Sequence, residues 1–226
     1  MTRSDGSAVI VDLSHPLAPG MPGYPGDPEV AATPVATIAA HGFAVTALRL
    51  GTHSGTHVDA PSHAVEGGAA IDAIDPGRLI GPARILRVTA GDGEPIGVAG
   101  LEPQLAAWSG ERIALVHTGW DAHWGTPRML RHPAVSIELA DALLGLGVDV
   151  LGVDTLSPDL LQYASGSGAG GPAALPAHAR WLGAGGLIIE NLRGLGEVPG
   201  QTCELIALPL RLAGLDGSPV RAVARC

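Results

Sequence analysis

The chain has 226 residues, 46% of them apolar and only 15% charged, which argues against a disordered segment. Its net charge of −9, with no basic cluster, argues against nucleic acid or an anionic membrane as the main partner. The 33 glycines and 19 prolines, about a quarter of the chain, point away from a helical bundle and toward a turn-rich domain of short elements.

In chain order, Ala8–Leu13 reads as a strand, and the Pro/Gly-dense stretch from His15 to Pro28 as an ordered loop or arm. Phe43–Leu50, Pro82–Val88 and Arg112–Thr118 are strand candidates. Leu101–Trp108 has helical spacing. Ser136–Leu146 shows it more clearly, with Ile137, Ala140, Leu143 and Leu144 as the apolar stripe, Ser136 as N-cap and Gly145 and Gly147 as the stop. Val148–Val153 is the next strand. Ala164–Ala177, rich in Gly, Ala and Ser, is expected to be a mobile loop and a candidate lid. A short helix over Ala177–Leu182 stops at Gly183, and Leu187–Ile189 forms a buried strand ending at Glu190. Leu205–Leu212 and Val220–Ala224 are expected to pair antiparallel through an Asp216-Gly217 hairpin turn. Short strands with few helices indicate an α/β domain with a mixed sheet, and no composition shift divides residues 1–226 into more than a single domain.

Three of the nine histidines fall within the eleven residues His53-Ser54-Gly55-Thr56-His57-Val58-Asp59-Ala60-Pro61-Ser62-His63. The three histidines and Asp59 share odd parity, so an extended strand would turn them to one side. A straight strand would hold the outer two roughly 33 Å apart, so Gly55 and Pro61 must bend the chain around one point. Imidazoles and a carboxylate are ligands for Zn²⁺, with Mn²⁺ as the alternative. Solvated loop histidines are the plain alternative, and the density of the cluster argues against them. Glu190, at the end of an apolar strand, either exits to solvent or needs a buried partner. His178, read alone, is a surface helix residue.

The pattern HxGTHxDxPxH, complete at every fixed position, resembles the signature of the metal-dependent cyclase-like hydrolases, whose best-known members are bacterial kynurenine formamidases. Met21–Asp27, Thr118-Gly119-Trp120, Gly152–Asp159, Ile188–Leu192 and the tail from Ala207 to Arg221 extend the resemblance over nearly the whole chain. It implies a cyclase-like swivelling β/β/α fold with a mixed central sheet. His53, His57 and Asp59 become metal ligands, His178 and Glu190 complete a second position, and His63 becomes the proton donor and acceptor. It implies one or two divalent ions, with Asp59 and Glu190 bridging them where there are two, and hydrolysis of a small amide such as an N-formyl arylamine. It also implies a homodimer or larger homo-oligomer, in which Met21–Asp27 reaches a neighbouring subunit's pocket. Where formamidases carry a Trp that stacks on the substrate ring, this chain has Tyr24, so an isatin-type ring or a lactone is a rival substrate. A metal- or ligand-binding protein without catalysis is the rival of another class, and it would have no use for His63.

Other features are set aside. Gly166–Gly171 fits G-x-G-x-x-G but lacks a preceding strand and meets Pro172 at once. Asp154, Thr155, Ser157 and Asp159 read as a turn and helix cap. Trp120, His123 and Trp124 read as core or interface rather than substrate wall. His15, His41, His117 and His132 have no partners at meaningful spacing. No apolar run could span a bilayer, the N-terminus does not read as a signal peptide, and Cys203 and Cys226 lack CxxC spacing, so a reduced, cytoplasmic protein acting on a small molecule is expected.

Overall fold

In the computed structural model the described residues are 8–161 and 175–226. The strands are β1 (Ile10–Asp12), β2 (Ala31–Ala36), β3 (Val45–Arg49), β4 (His57–Asp59), β5 (Ile80–Arg87), β6 (Pro95–Ile96), β7 (Ile113–His117), β8 (Ala134–Val135), β9 (Val150–Val153), β10 (Leu187–Glu190), β11 (Thr202–Ile206), β12 (Gly217–Pro219) and β13 (Val223–Arg225). The helices are α1 (Ile38–His41), α2 (Glu102–Ala106), α3 (Ile137–Gly145) and α4 (Pro176–Gly183). Among the described residues, nine strands form one mixed sheet in the order β1-β13-β11-β5-β7-β9-β10-β4-β12. β5, β7, β9 and β10 run parallel in its middle, and the flanking pairs are antiparallel.

The sheet curls. β12 and β13 lie near opposite ends of the strand order, yet Pro219 ends one and Val223 begins the other. Four residue steps span at most about 14 Å, so the two ends of the sheet must approach each other. Strand alternation then separates two cores. Val58, Ile85, Leu115, Val150, Leu187 and Leu205 belong to the inner one. Leu86, Val116, Leu151 and Ile188 turn outward, where α3 and α4 cover them with Leu139, Leu143, Trp181 and Leu182.

The expected α/β class and mixed sheet are present. α3 starts as read, with Ser136 Oγ accepting from Leu139 N at 3.1 Å. Its buried stripe is Leu139, Ala140 and Leu143, whereas Ile137 is exposed, because the helix turns its second residue pair rather than its first onto the sheet. The C-terminal reading needs a larger correction. β11 is Thr202–Ile206 and does pair antiparallel with β13, but Asp216-Gly217 is no hairpin turn between them. The intervening chain crosses to the far edge of the sheet and enters β12 at Gly217. Gly217 is there for space: a Cβ on it would lie 2.8 Å from both His53 Cε1 and Val58 O. The Gly-rich stretch and its G-x-G-x-x-G pattern lie outside the described residues, except for Leu175–Ala177 at the start of α4.

β2 and β3 form a separate antiparallel hairpin in which only Ala36 is buried. Val35, Ile38, Phe43, Val45 and Leu48 are exposed along it and its α1 turn.

Candidate active site

Within β4, Val58 points into the inner core, so His57 and Asp59 point outward. β10 pairs antiparallel with it and sets Glu190 opposite His57 and Ile188 opposite Asp59. Glu190 therefore shares the outer face. α4 packs over this face and lowers His178 onto it. His57, Asp59, His178 and Glu190 are all buried, while His53 and His63 are half-buried at the rim.

The bend that brings His53 back is built at Gly55, whose φ is +65° and where a Cβ would meet Leu17 Cδ2 at 2.7 Å. Gly55 O accepts from His57 Nδ1 at 2.8 Å and from Asn191 Nδ2 at 3.1 Å. Thr56 Oγ1 donates to Asn191 O at 2.6 Å, and Asn191 itself adopts a left-handed φ of 57°. A carbonyl only accepts, so a hydrogen of His57 sits on Nδ1 and Nε2 is the nitrogen turned to the carboxylates. His178 is set in the same way: Nδ1 faces Asp159 Oδ2 at 2.8 Å, leaving Nε2 toward the centre. Asp159 also accepts the backbone N–H groups of Ala177 and His178, capping α4 and orienting its histidine with one carboxylate.

Around the centre, Asp59 Oδ1 lies 2.7 Å from His53 Nδ1 and 3.2 Å from His57 Nε2, and Oδ2 lies 3.5 Å from His178 Nε2. Glu190 Oε2 is 3.3 Å from His57 Nε2 and Oε1 is 3.2 Å from His178 Nε2. Each carboxylate thus turns one oxygen to His57 and the other to His178. Among the described residues, three groups of candidate ligand atoms each lie within 4.8 Å of one another: His53, His57 and Asp59; Asp59, His178 and Glu190; and, at the rim, His53, His63 and Asp216. His57 Nε2, Asp59 Oδ2 and Glu190 Oε1 are buried without any hydrogen-bond partner. Bare buried donors and acceptors aimed at one another are costly unless a cation lies among them. The donor set therefore fits a divalent cation. In the protein alone, burial works to lower the His57 pKa, but Asp59 and Glu190 outweigh it and hold it up at about 10. Burial likewise opposes ionisation of Asp59, and the surrounding histidines, His57 foremost, hold its carboxyl well below the usual range.

Beside this centre is a cavity of about 170 Å³, lined by Tyr24, Asp27, His63, Trp124, Leu156 and Leu175 among others. Tyr24 and Asp27 line their own chain's pocket, so reaching it requires no neighbouring subunit. The aromatic cluster divides: Trp120 is buried, while Trp124 faces the cavity and stacks on His15 with centroids 3.9 Å apart. Burial pushes the His15 pKa down to about 4, so the stacked ring is neutral.

Sequence reasoning gave no role to Asp159, Asn191 or Asp216, although the family resemblance covers all three segments and suggests that Asp159 lies close to the site, and it read Trp124 as core or interface. Asp216 Oδ2 is 2.9 Å from His53 Nε2 and 3.3 Å from His63 Nδ1. Its signals in the sequence are an Asp-Gly pair, which reads as a turn, and a place in the family-like tail.

A family model described as "Putative cyclase" matches residues 11–160. The chain belongs to the cyclase family. Among curated relatives of this family member, the kynurenine formamidase of Salinibacter ruber (strain DSM 13855 / M31) is 37% identical over 227 residues, covering 96% of this chain and 97% of that protein. An isatin hydrolase solved with the product analogue thioisatinate superimposes with a TM-score of 0.86 at 25% identity, covering 98% of this chain and 94% of the other. A structure described as a potential metal-dependent hydrolase with cyclase activity gives 0.76 at 26% identity, covering 97% and 98%. The resemblance drawn from the motif is borne out, and so is the fold it implied. No helix among the described residues is long and apolar enough to cross a membrane.

Proposed function

We propose that this cyclase-family member is a metal-dependent amidohydrolase that cleaves a small N-formyl arylamine to the arylamine and formate, as a kynurenine formamidase does. The observation that carries the reading is the convergence of two half-sites on shared carboxylates, Asp59 and Glu190, beside a cavity of ring size. A cavity of roughly 150 Å³ admits benzene, and this one is about 170 Å³. His53, His57, Asp59, His178 and Glu190 would hold the metal, Zn²⁺ in the first place and Mn²⁺ as the alternative. When bound, it supplies Lewis acidity and an acidified water. Tyr24 and Trp124 supply flat walls for the aryl ring. His63, at the mouth of the same cavity, carries a proton to the leaving nitrogen, without which an arylamide departs poorly.

The isatin hydrolase neighbour favours a second reading, opening of a cyclic amide, because Tyr24 stands where formamidases have Trp and leaves a differently shaped wall. The chain acts as a homodimer or larger homo-oligomer, a reading supported by the exposed apolar hairpin of β2 and β3. Its two free thiols suit a reducing, cytoplasmic setting.

Elemental analysis of the purified protein, then turnover of N-formylkynurenine, isatin and simple lactones with and without chelator, tests the proposal. Stoichiometric metal and chelator-sensitive turnover of the formamide are expected. A protein that binds metal but hydrolyses none of the panel would leave the non-catalytic binder standing.

A further inference from the structure

Asp216 comes to the site from outside the motif. β12 pairs with β4 so that Gly217 stands opposite Asp59, and Ala60 N donates to Asp216 O at 2.9 Å. This fixes the backbone of residue 216 beside the two rim histidines. A single oxygen, Oδ2, then faces both rings, His53 through Nε2 and His63 through Nδ1. The rings themselves are tilted against each other with centroids 4.0 Å apart. An ionised carboxylate only accepts, so both facing nitrogens carry hydrogen. His53 turns its other nitrogen, Nδ1, to Asp59 Oδ1 at 2.7 Å, so Nδ1 is the atom it would offer to a bound metal. Neutral His63 is left with a bare Nε2 as its working nitrogen, on a ring that lines the cavity.

We propose that Asp216 is a positioning residue that fixes the tautomer of His63 and ties this proton carrier to the metal ligand His53 through one shared oxygen. The proposal rests on the amide-hydrolysis reading for what His63 does, though not for how it is held. In that reaction His63 Nε2 takes a proton from the attacking water as the new C–O bond forms. It returns that proton to the nitrogen as the C–N bond breaks, so the ring begins and ends neutral. Between the two transfers it is an imidazolium, and the Asp216 carboxylate faces its Nδ1–H.

Two readouts test this. In ¹⁵N-histidine-labelled protein, zinc-loaded and metal-stripped alike, long-range ¹H–¹⁵N spectra should show His63 as the Nδ1–H tautomer. Asp216→Ala should release it to Nε2–H, while Asp216→Asn, whose amide oxygen still accepts, should retain Nδ1–H. At saturating zinc, Asp216→Ala should lose about 10- to 100-fold in kcat on formanilide and clearly less on 4-nitrophenyl formate, which needs the ring to take the proton from water but not to return it to the leaving group. Asp216→Asn should fall between wild type and Ala on formanilide. Equal losses on both substrates, or an unchanged His63 tautomer in Asp216→Ala, would overturn the proposal. If wild type turns over neither substrate, the amide reading fails, and the tautomer spectra still decide the positioning role.

Discussion

His63 differs from the other motif histidines in what surrounds it. It is half-buried at the cavity mouth, its Nδ1 faces Asp216, and it belongs to neither ligand set centred on Asp59. His63→Ala should therefore keep its metal and lose about 10²- to 10⁴-fold in kcat, the usual worth of a positioned acid–base group. Metal content by elemental analysis beside formanilide turnover checks both halves, and full activity would remove His63 from the reaction. Gly217 matters for the opposite reason, since it has no side chain where one cannot fit. In Gly217→Ala the new methyl would sit 2.8 Å from His53 Cε1 and from the backbone oxygen of Val58. Either His53 turns out of the ligand set or β12 lifts from β4. A fall of about 10-fold or more in zinc affinity, comparable to loss of an orienting partner, is the expected result of a competitive chelator titration. Unchanged affinity would mean that the ring and strand relax without effect on the site.

At the scale of elements, the β2–β3 hairpin is the part of the fold whose sequence does not suit its surroundings in a single chain. Val35, Ile38, Phe43, Val45 and Leu48 face solvent at 46–72% exposure. Contiguous apolar side chains on a projecting hairpin mark a contact surface, and for the proposed homo-oligomer that surface is another copy's. Phe43→Ser with Leu48→Arg should lower the mass seen by light scattering to that of one chain, with the sheet's circular dichroism unchanged. A wild-type monomer at micromolar concentration would contradict the oligomer directly. The site-bearing elements have the reverse character. β4 is three residues with every side chain buried, and it is held on both sides by β10 and β12. So short a strand keeps its register only because its neighbours impose it.

For the molecule as a whole, acid is the expected point of failure. The buried pair of Arg84, on β5, and Glu111 shows how. Burial alone would raise the Glu111 carboxyl, but hydrogen bonds from Arg84 at 2.8 Å and from Ser109 at 2.9 Å override it and bring its pKa from an ordinary 4.5 down to about 2. The folded pKa lies below the unfolded one, so the pair's stabilisation is complete above about 4.5 and is lost as pH falls toward about 2. Urea-unfolding midpoints across that window should drop more steeply for wild type than for Glu111→Gln. Parallel curves would show that the pair contributes no pH-dependent stability.

Much was legible in the chain itself because the information was local. The parity of His53, His57, Asp59 and His63, with Gly55 to bend the backbone, determined a polar cluster on one side of a short strand. Apolar runs of four to six residues located most of the sheet, and Ser136 marked a helix start, since pattern and capping act within one turn or one pleat. The family resemblance added His178 and Glu190, which no local spacing joins to the motif. The tertiary structure alone decided the rest. Asp159 reaches His178 because α4 docks on the outer face, and Asn191 locks the Gly55 bend from 136 residues away. Asp216, spelled as a turn, became a partner of two histidines because the curl of the sheet carries its segment to the far edge. Pairing between distant strands is fixed by burial of both sheet faces together, and a sequence window too short to contain both strands holds no record of it.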